Sequence, residues 1–201
     1  MQDAADRPPE GTAVEDGRNV GPRLREIRLE SGQSLRAVAQ KLGISPSALS
    51  QIETGAKLPS VNRLLAIVTA LDVPLSTVFE SAPTATGGVA HSVSRSGDVP
   101  LLNLGDGVTY RRLSPTPVPG LEMFESTYPP GSTGSAHSSS RLIKHGGYEV
   151  GNVSRGELTI DFENETVTLG PGDSISFHAT RPHMLSNRGT EACIAIWVIA
   201  H

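Results

Sequence analysis

From Pro22 to Phe79 the apolar residues recur every three to four positions, and beyond Gly88 they fall in short β-rich runs broken by Gly, Pro, Asn and Asp. The first spacing belongs to amphipathic helices and the second to strands joined by frequent turns. Leu24, Ile27 and Leu29 give a first helix its inner stripe, beginning near Pro22 and ended by Ser31-Gly32. Ser34 caps a second helix, LRAVAQKL, whose Leu35, Val38, Ala39 and Leu42 face inward, and Gly43 breaks it. Ser45 caps a third, with Pro46 in its first turn and a stop at Gly55. A fourth follows Pro59-Ser60 and buries Val61, Leu64, Leu65, Val68 and Leu71; a short fifth, from Pro74 to Phe79, closes the bundle. In the second half LTIDF, VTLG, SISF and CIAIWVI predict strands of a barrel or sandwich. Its expected core is Leu158, Ile160, Phe162, Val167, Leu169, Ile175, Phe177, Ile194, Ile196 and Val198. Trp197 is expected to pack there too.

The switch of period predicts a multidomain chain, an α domain followed by an all-β domain. Residues 1–20, acidic and rich in Pro and Gly without apolar period, read as a disordered tail. Residues 21–80 form the helical domain, 81–88 (SAPTATGG) a small-residue linker, and 89–201 the β domain. Charge follows the same division. The chain carries −4 overall, yet residues 21–80 hold seven Lys/Arg against five Asp/Glu, a balance that permits phosphate binding. The one cysteine, Cys193, lies in an apolar run, so no disulfide forms within the chain and the thiol reads as buried and inert. No apolar run approaches 18 residues and no charged-then-apolar leader is present, which predicts a soluble cytoplasmic protein with no membrane partner. Gly170-Pro171-Gly172-Asp173 is a turn between strands, since no Lys-Ser/Thr follows it as a phosphate loop requires.

The turn between the second and third helices, LGIS, is too tight for antiparallel packing, so the two must cross steeply as in a helix-turn-helix. There the second helix inserts its N-terminal side chains into the major groove and the first crosses the backbone. SLRAVAQKLGISPSALSQIETGAKLPSVNRLLAIVTAL resembles the Cro/repressor-like (XRE) helix-turn-helix domain over residues 22–80. The likeness rests on the A-x-x-L-G-I-S turn, on L-S-Q-I-E in the third helix and on G-x-x-x-P-S before the fourth. It implies that Ser45, Ser47, Ala48, Ser50 and Gln51 lie at the DNA face, with Arg36, Lys57 and Asn62 as phosphate contacts. The third helix offers no Arg or Asn for a bidentate base contact, so DNA shape is expected to carry part of the specificity.

In the β half, His145 and Glu149 differ by an even number and can face one side of a strand, and His183 can reach the same point from another strand. The two segments resemble the cupin fold, a double-stranded β-barrel with a ligand or metal site in its mouth. Of the first cupin motif, His145, Glu149 and Gly156 keep their spacing, while Ile143 stands at the first histidine and His137 at the leading glycine. Of the second, Gly172, His183 and Asn187 fit, with His178 in place of the proline and Thr180 in place of the glycine. The resemblance implies a three-ligand metal site of His145, Glu149 and His183, holding one divalent ion (Fe, Zn or Mn) with open positions. A metal-free pocket for an organic effector uses the same residues. Tyr148, Arg155 and His178 are expected to line the ligand pocket, and one of Arg141, Lys144, Arg155 and Arg181 to pair with an anionic ligand.

Together the two resemblances imply a ligand-responsive transcriptional regulator whose partners are a double-stranded DNA operator, a small-molecule effector and further copies of itself, as a homodimer or higher homo-oligomer. The alternative is a mononuclear non-haem iron enzyme of the cupin type, similar to an epoxidase or oxygenase, with the helical domain structural.

Overall fold

The computed structural model describes residues 18–79, 93–95, 99–134 and 142–201. The expected linker 81–88, His137 and Arg141 lie outside the described residues, as does the tail up to residue 17. The helical domain contains α1 (Gly21–Glu30), α2 (Leu35–Leu42), α3 (Pro46–Glu53) and α4 (Val61–Leu71). Where a fifth α-helix was expected, Leu75–Phe79 forms a 3-10 helix. The expected caps Ser34 and Ser45 are present, and Ser60 caps α4 in the same way. The hydroxyls of Ser34, Ser45 and Ser60 accept from the backbone N–H three residues on, satisfying a donor that the first helical turn leaves orphaned. Gly43 ends α2 in the left-handed region.

Two expectations change at α1. Leu29 is 59% exposed, and the inner face at that level belongs to Arg28, buried against Glu53 of α3. Arg18–Asn19, expected in the tail, form a two-residue strand, β1, and Val20 is fully buried. The backbone of β1 pairs with the β domain, which supplies partners that the polar composition of the segment did not announce.

The β domain contains β2 (Leu101–Asn103), β3 (Thr109–Arg112), β4 (Leu121–Tyr128), β5 (Tyr148–Arg155), β6 (Leu158–Phe162), β7 (Thr166–Leu169), β8 (Ser174–His178), β9 (His183–Ser186) and β10 (Cys193–Ala200). They form two sheets, of order β1-β2-β3-β4-β10-β5-β8 and β7-β6-β9. Phe177 of the large sheet meets Phe162 of the small one edge to face at 5.2 Å, so the inner faces enclose the core. The phase of β10 is the reverse of that expected. Cys193, Ala195, Trp197 and Ile199 are buried, and Ile194, Ile196 and Val198 lie half-buried on the outer face. The Trp197 ring lies over Gly151, where an added Cβ would stand 2.5 Å from it, so β5 requires glycine at that point.

The helical domain packs on the sheets. Phe79 stacks on Phe124 of β4 with centroids 5.5 Å apart, and Ser76 N–H donates to the buried Glu122 carboxylate at 2.5 Å. Asn62 N–H donates to Gly134 O and Gly105 N–H to Pro59 O. Buried apolar residues of both domains form one cluster. Among the described residues no helix is long and apolar enough to cross a membrane.

Candidate functional site

Two regions carry the expected chemistry. The first is the exposed side of α2 and α3. Leu49, Ile52 and Glu53 anchor α3 in the domain core, which turns Ser47 and Gln51 to solvent, with Ala48 and Ser50 half-buried beside them. Ser45, also exposed, is the N-cap of α3, so its hydroxyl already accepts Ala48 N–H at 3.1 Å. Arg36 of α2 and Lys57 in the loop after α3 are exposed. Asn62 is not available as expected: it is buried, and its backbone is bonded to Gly134 of the β domain. Being the second residue of α4, it lies at the seam between the domains rather than on the outer surface.

The second region is a buried cluster at one end of the β domain. Glu149 projects inward from β5, His183 begins β9, and His145 lies on the segment that leads into β5. That segment is held by backbone bonds: Ile143 and His183 exchange both N–H···O bonds, and His145 N–H donates to Ala179 O. Gly147 makes the turn into β5 at φ 90°, where a Cβ would sit 2.3 Å from Ala200 O. His145 Nε2 is 2.6 Å and His183 Nε2 3.5 Å from Glu149 Oε1. The other ring nitrogens face backbone carbonyls, His145 Nδ1 toward Gly146 O at 3.0 Å and His183 Nδ1 toward Arg181 O at 2.8 Å. A carbonyl accepts only, so Nδ1 carries the proton in each ring, and Nε2 either offers a lone pair to a cation in the neutral ring or donates to the carboxylate once the ring is protonated.

Burial opposes the charged form of Glu149, but hydrogen bonds from His145 and His183 and their charges overcome it, and its pKa falls to about 2. Burial likewise pushes the His145 pKa down, and the bond to Glu149 and its charge more than reverse that, leaving it above the ordinary imidazole value. Two imidazoles and one carboxylate whose donor atoms all lie within 4.8 Å of one another fit a divalent cation. Ile143, at the place of a fourth ligand, supplies only hydrocarbon.

Phe177 is a member of this site that the sequence did not single out. It stands opposite Glu149 in the β5–β8 register, and its ring is 4.9 Å from that of His183. The signal was parity: once Glu149 is known to face inward, its cross-strand neighbour must do so too. The same rule removes Tyr148 and His178 from the expected pocket. Tyr148 is adjacent to Glu149 and therefore faces outward, where it is 52% exposed and its ring lies 3.8 Å from that of its cross-strand partner His178. Arg155 is exposed at the end of β5.

A helix-turn-helix domain model matches residues 20–78, and a cupin domain model matches residues 124–199. The chain is 29% identical over 181 residues to the HTH-type transcriptional regulator PuuR of Escherichia coli, covering 89% of this chain and 93% of the relative. It is 32% identical over 98 residues to an uncharacterized HTH-type transcriptional regulator of Sinorhizobium medicae, covering 47% of this chain and 70% of that one. The crystal structure of an HTH_3 family transcriptional regulator from Vibrio cholerae superposes with a TM-score of 0.64 at 26% identity, covering 91% of this chain and 95% of the other.

Proposed function

The chain belongs to the HTH-type transcriptional regulators, a DNA-binding helix-turn-helix domain joined to a ligand-sensing cupin domain, and we propose that α3 reads an operator in the major groove while the His145–Glu149–His183 cluster forms the sensing centre. The observation that carries the DNA half is the capped, exposed N-terminal turn of α3 next to the tight α2–α3 turn, the geometry with which such helices enter the groove. Ser47 and Gln51 contact base edges, with Ala48 and Ser50 beside them, and Arg36 and Lys57 contact phosphates. Ser45 holds the end of α3 in shape. Two-fold operators present half-sites roughly 34–36 Å apart, so the reading requires a homodimer.

His145 Nε2, His183 Nε2 and a Glu149 oxygen would hold one divalent cation. An ion there would act as a Lewis acid with open positions for a small molecule. The chain's own residues fix the rings by their Nδ1–H···O bonds and keep the carboxylate ionised. Three ligands with open positions also favour a second reading, an iron-dependent oxygenase, which an oxygen-consumption screen of the iron-loaded protein tests.

Fluorescence anisotropy on duplexes selected from a random pool tests the DNA reading. Gln51→Ala relaxes the selected sequence, whereas Arg36→Ala weakens all duplexes alike and lowers the salt slope by about 1. Failure of the folded protein to select any duplex sinks the reading. Metal content of untagged protein tests the cluster: near-stoichiometric metal in the wild type and none in His145→Ala/Glu149→Ala is expected, and equal content in both rejects it.

A further inference from the structure

A cleft of about 530 Å³ lies between α2 and α4 on one side and the segment Leu142–His145 on the other. That is within the roughly 300–1,000 Å³ of small-molecule sites. Its walls come from both domains, and its chemistry is uneven. Lys41, Arg63 and Lys144 line it, and no Asp or Glu does so among the described residues. Lys41 Nζ donates to Gln33 Oε1 and Ala70 O, and an ammonium has a third donor to offer. Arg63 is braced by a bond from Nη1 to Leu42 O. Leu65, Ala66, Leu142 and Ile143 supply apolar wall between these cations. His145 lines this cleft and a second of about 380 Å³ on the far side of α4's C-terminal half, so the sensing cluster borders both.

We propose that the interdomain cleft is the effector site and that it takes a small amphiphilic organic anion, its acid group against Lys41, Arg63 and Lys144 and its hydrocarbon against the apolar wall. The proposal rests on the regulator reading and deepens it by giving the effector's class and place. A carboxylate of this kind is complementary to the lining in sign and in polarity, where an amine would face three like charges. The consequence for regulation is mechanical. The occupant touches two helices of the DNA-binding domain and the segment that carries His145, so it binds the docked arrangement of the domains and not an undocked one. Differential affinity of that kind is what shifts a population between two arrangements.

The test uses the full chain and 1-anilinonaphthalene-8-sulfonate, an apolar fluorescent anion, as the probe. One saturable site per chain is expected, displaced by octanoate and not by octylamine. Lys144→Glu should weaken the probe about tenfold, since one charge-assisted contact becomes a repulsion. Ala66→Trp, which fills the cleft, should abolish binding; if its helical circular dichroism is lost, the exposed Lys144→Glu variant decides alone. No saturable site, displacement by octylamine, or unchanged affinity in Lys144→Glu overturns the proposal. Anisotropy with the selected duplex on the same wild-type sample separates the two ideas. Duplex selection without probe binding rejects the cleft and leaves the regulator, whereas a folded protein that selects no duplex rejects the regulator itself.

Discussion

Arg28 and Glu53 show how much one buried pair can ask of a small domain. Arg28 Nε and Nη2 donate to the two carboxylate oxygens at 2.6 and 2.8 Å, and Nη1 reaches Gln33 O. Both side chains are nearly inaccessible, so removing one leaves the other charged and unpaired, at a cost of about 3–5 kcal/mol. Urea unfolding of Arg28→Met should register that loss, and Arg28→Met/Glu53→Leu should recover most of it; an unaltered single variant would mean that water reaches the pair. Cys193 makes the opposite point. Burial alone pushes its pKa up to about 11, so at pH 8 the thiol is protonated as well as enclosed. A disulfide reagent such as dithiobis-nitrobenzoate should leave it intact in native protein and label it fully in 6 M guanidinium, a concentration on the order of that which unfolds most domains. Rapid labelling of the native state would contradict its burial.

At the scale of elements, capping and close approach dominate. Ser45 both ends the α2–α3 turn and caps α3, so Ser45→Ala should cost about 1 kcal/mol in unfolding experiments. Its effect on duplex affinity should follow from fraying of the helix end, and Ser45→Asp should restore stability while repelling phosphate. Restored stability together with restored affinity would show that the residue acts as a cap alone. In β5, Gly151→Ala forces a Cβ against the Trp197 ring, which has no free space on the side of the core. Overpacking of this kind costs about 1–3 kcal/mol and should appear as a lower melting temperature with altered tryptophan fluorescence. The outer face of the large sheet has the complementary property. Val150, Val198 and Met123 align across β5, β10 and β4, and Val150 is 48% exposed. In the proposed homodimer a second copy covers this row, and light scattering of Val150→Asp should then report monomer where the wild type is expected to be a dimer.

On the scale of the whole molecule, the apolar cluster runs without a break from the helices into the sheets. Phe79, at the end of the 3-10 helix, is one contact through which the two halves share it. Calorimetry of the wild type should therefore give one transition. Phe79→Ala, which removes about 3–5 kcal/mol of packing, should split it into a helical and a β transition. Two transitions in the wild type would mean that the halves unfold independently. α2, α4 and the segment that carries His145 line one cleft, so the helical domain and the β domain meet there.

What the chain determined locally was legible in the chain. Ser34 and Ser45 as caps, Gly43 as a stop and the four α-helices depend on a few neighbouring residues, and each took its expected place. Other features had no local determinant. Every position from Ala192 to Ala200 is apolar, so alternation could not say which half of β10 faces inward, and only the register with β4 and β5 decided for Trp197. Tyr148 and His178 were misplaced for a related reason, although the parity with Glu149 contained the answer. Leu29 yielded the inner face of α1 to Arg28 because Glu53, 25 residues away, neutralises a buried guanidinium that composition would place in water. Asn62, the ordered Arg18–Asn19 and the cationic cleft all depend on how the two domains meet. Periodicity reports which face of an element is apolar, and it carries no term for the surface that element will meet, so the seam between domains was fixed only when the chain folded.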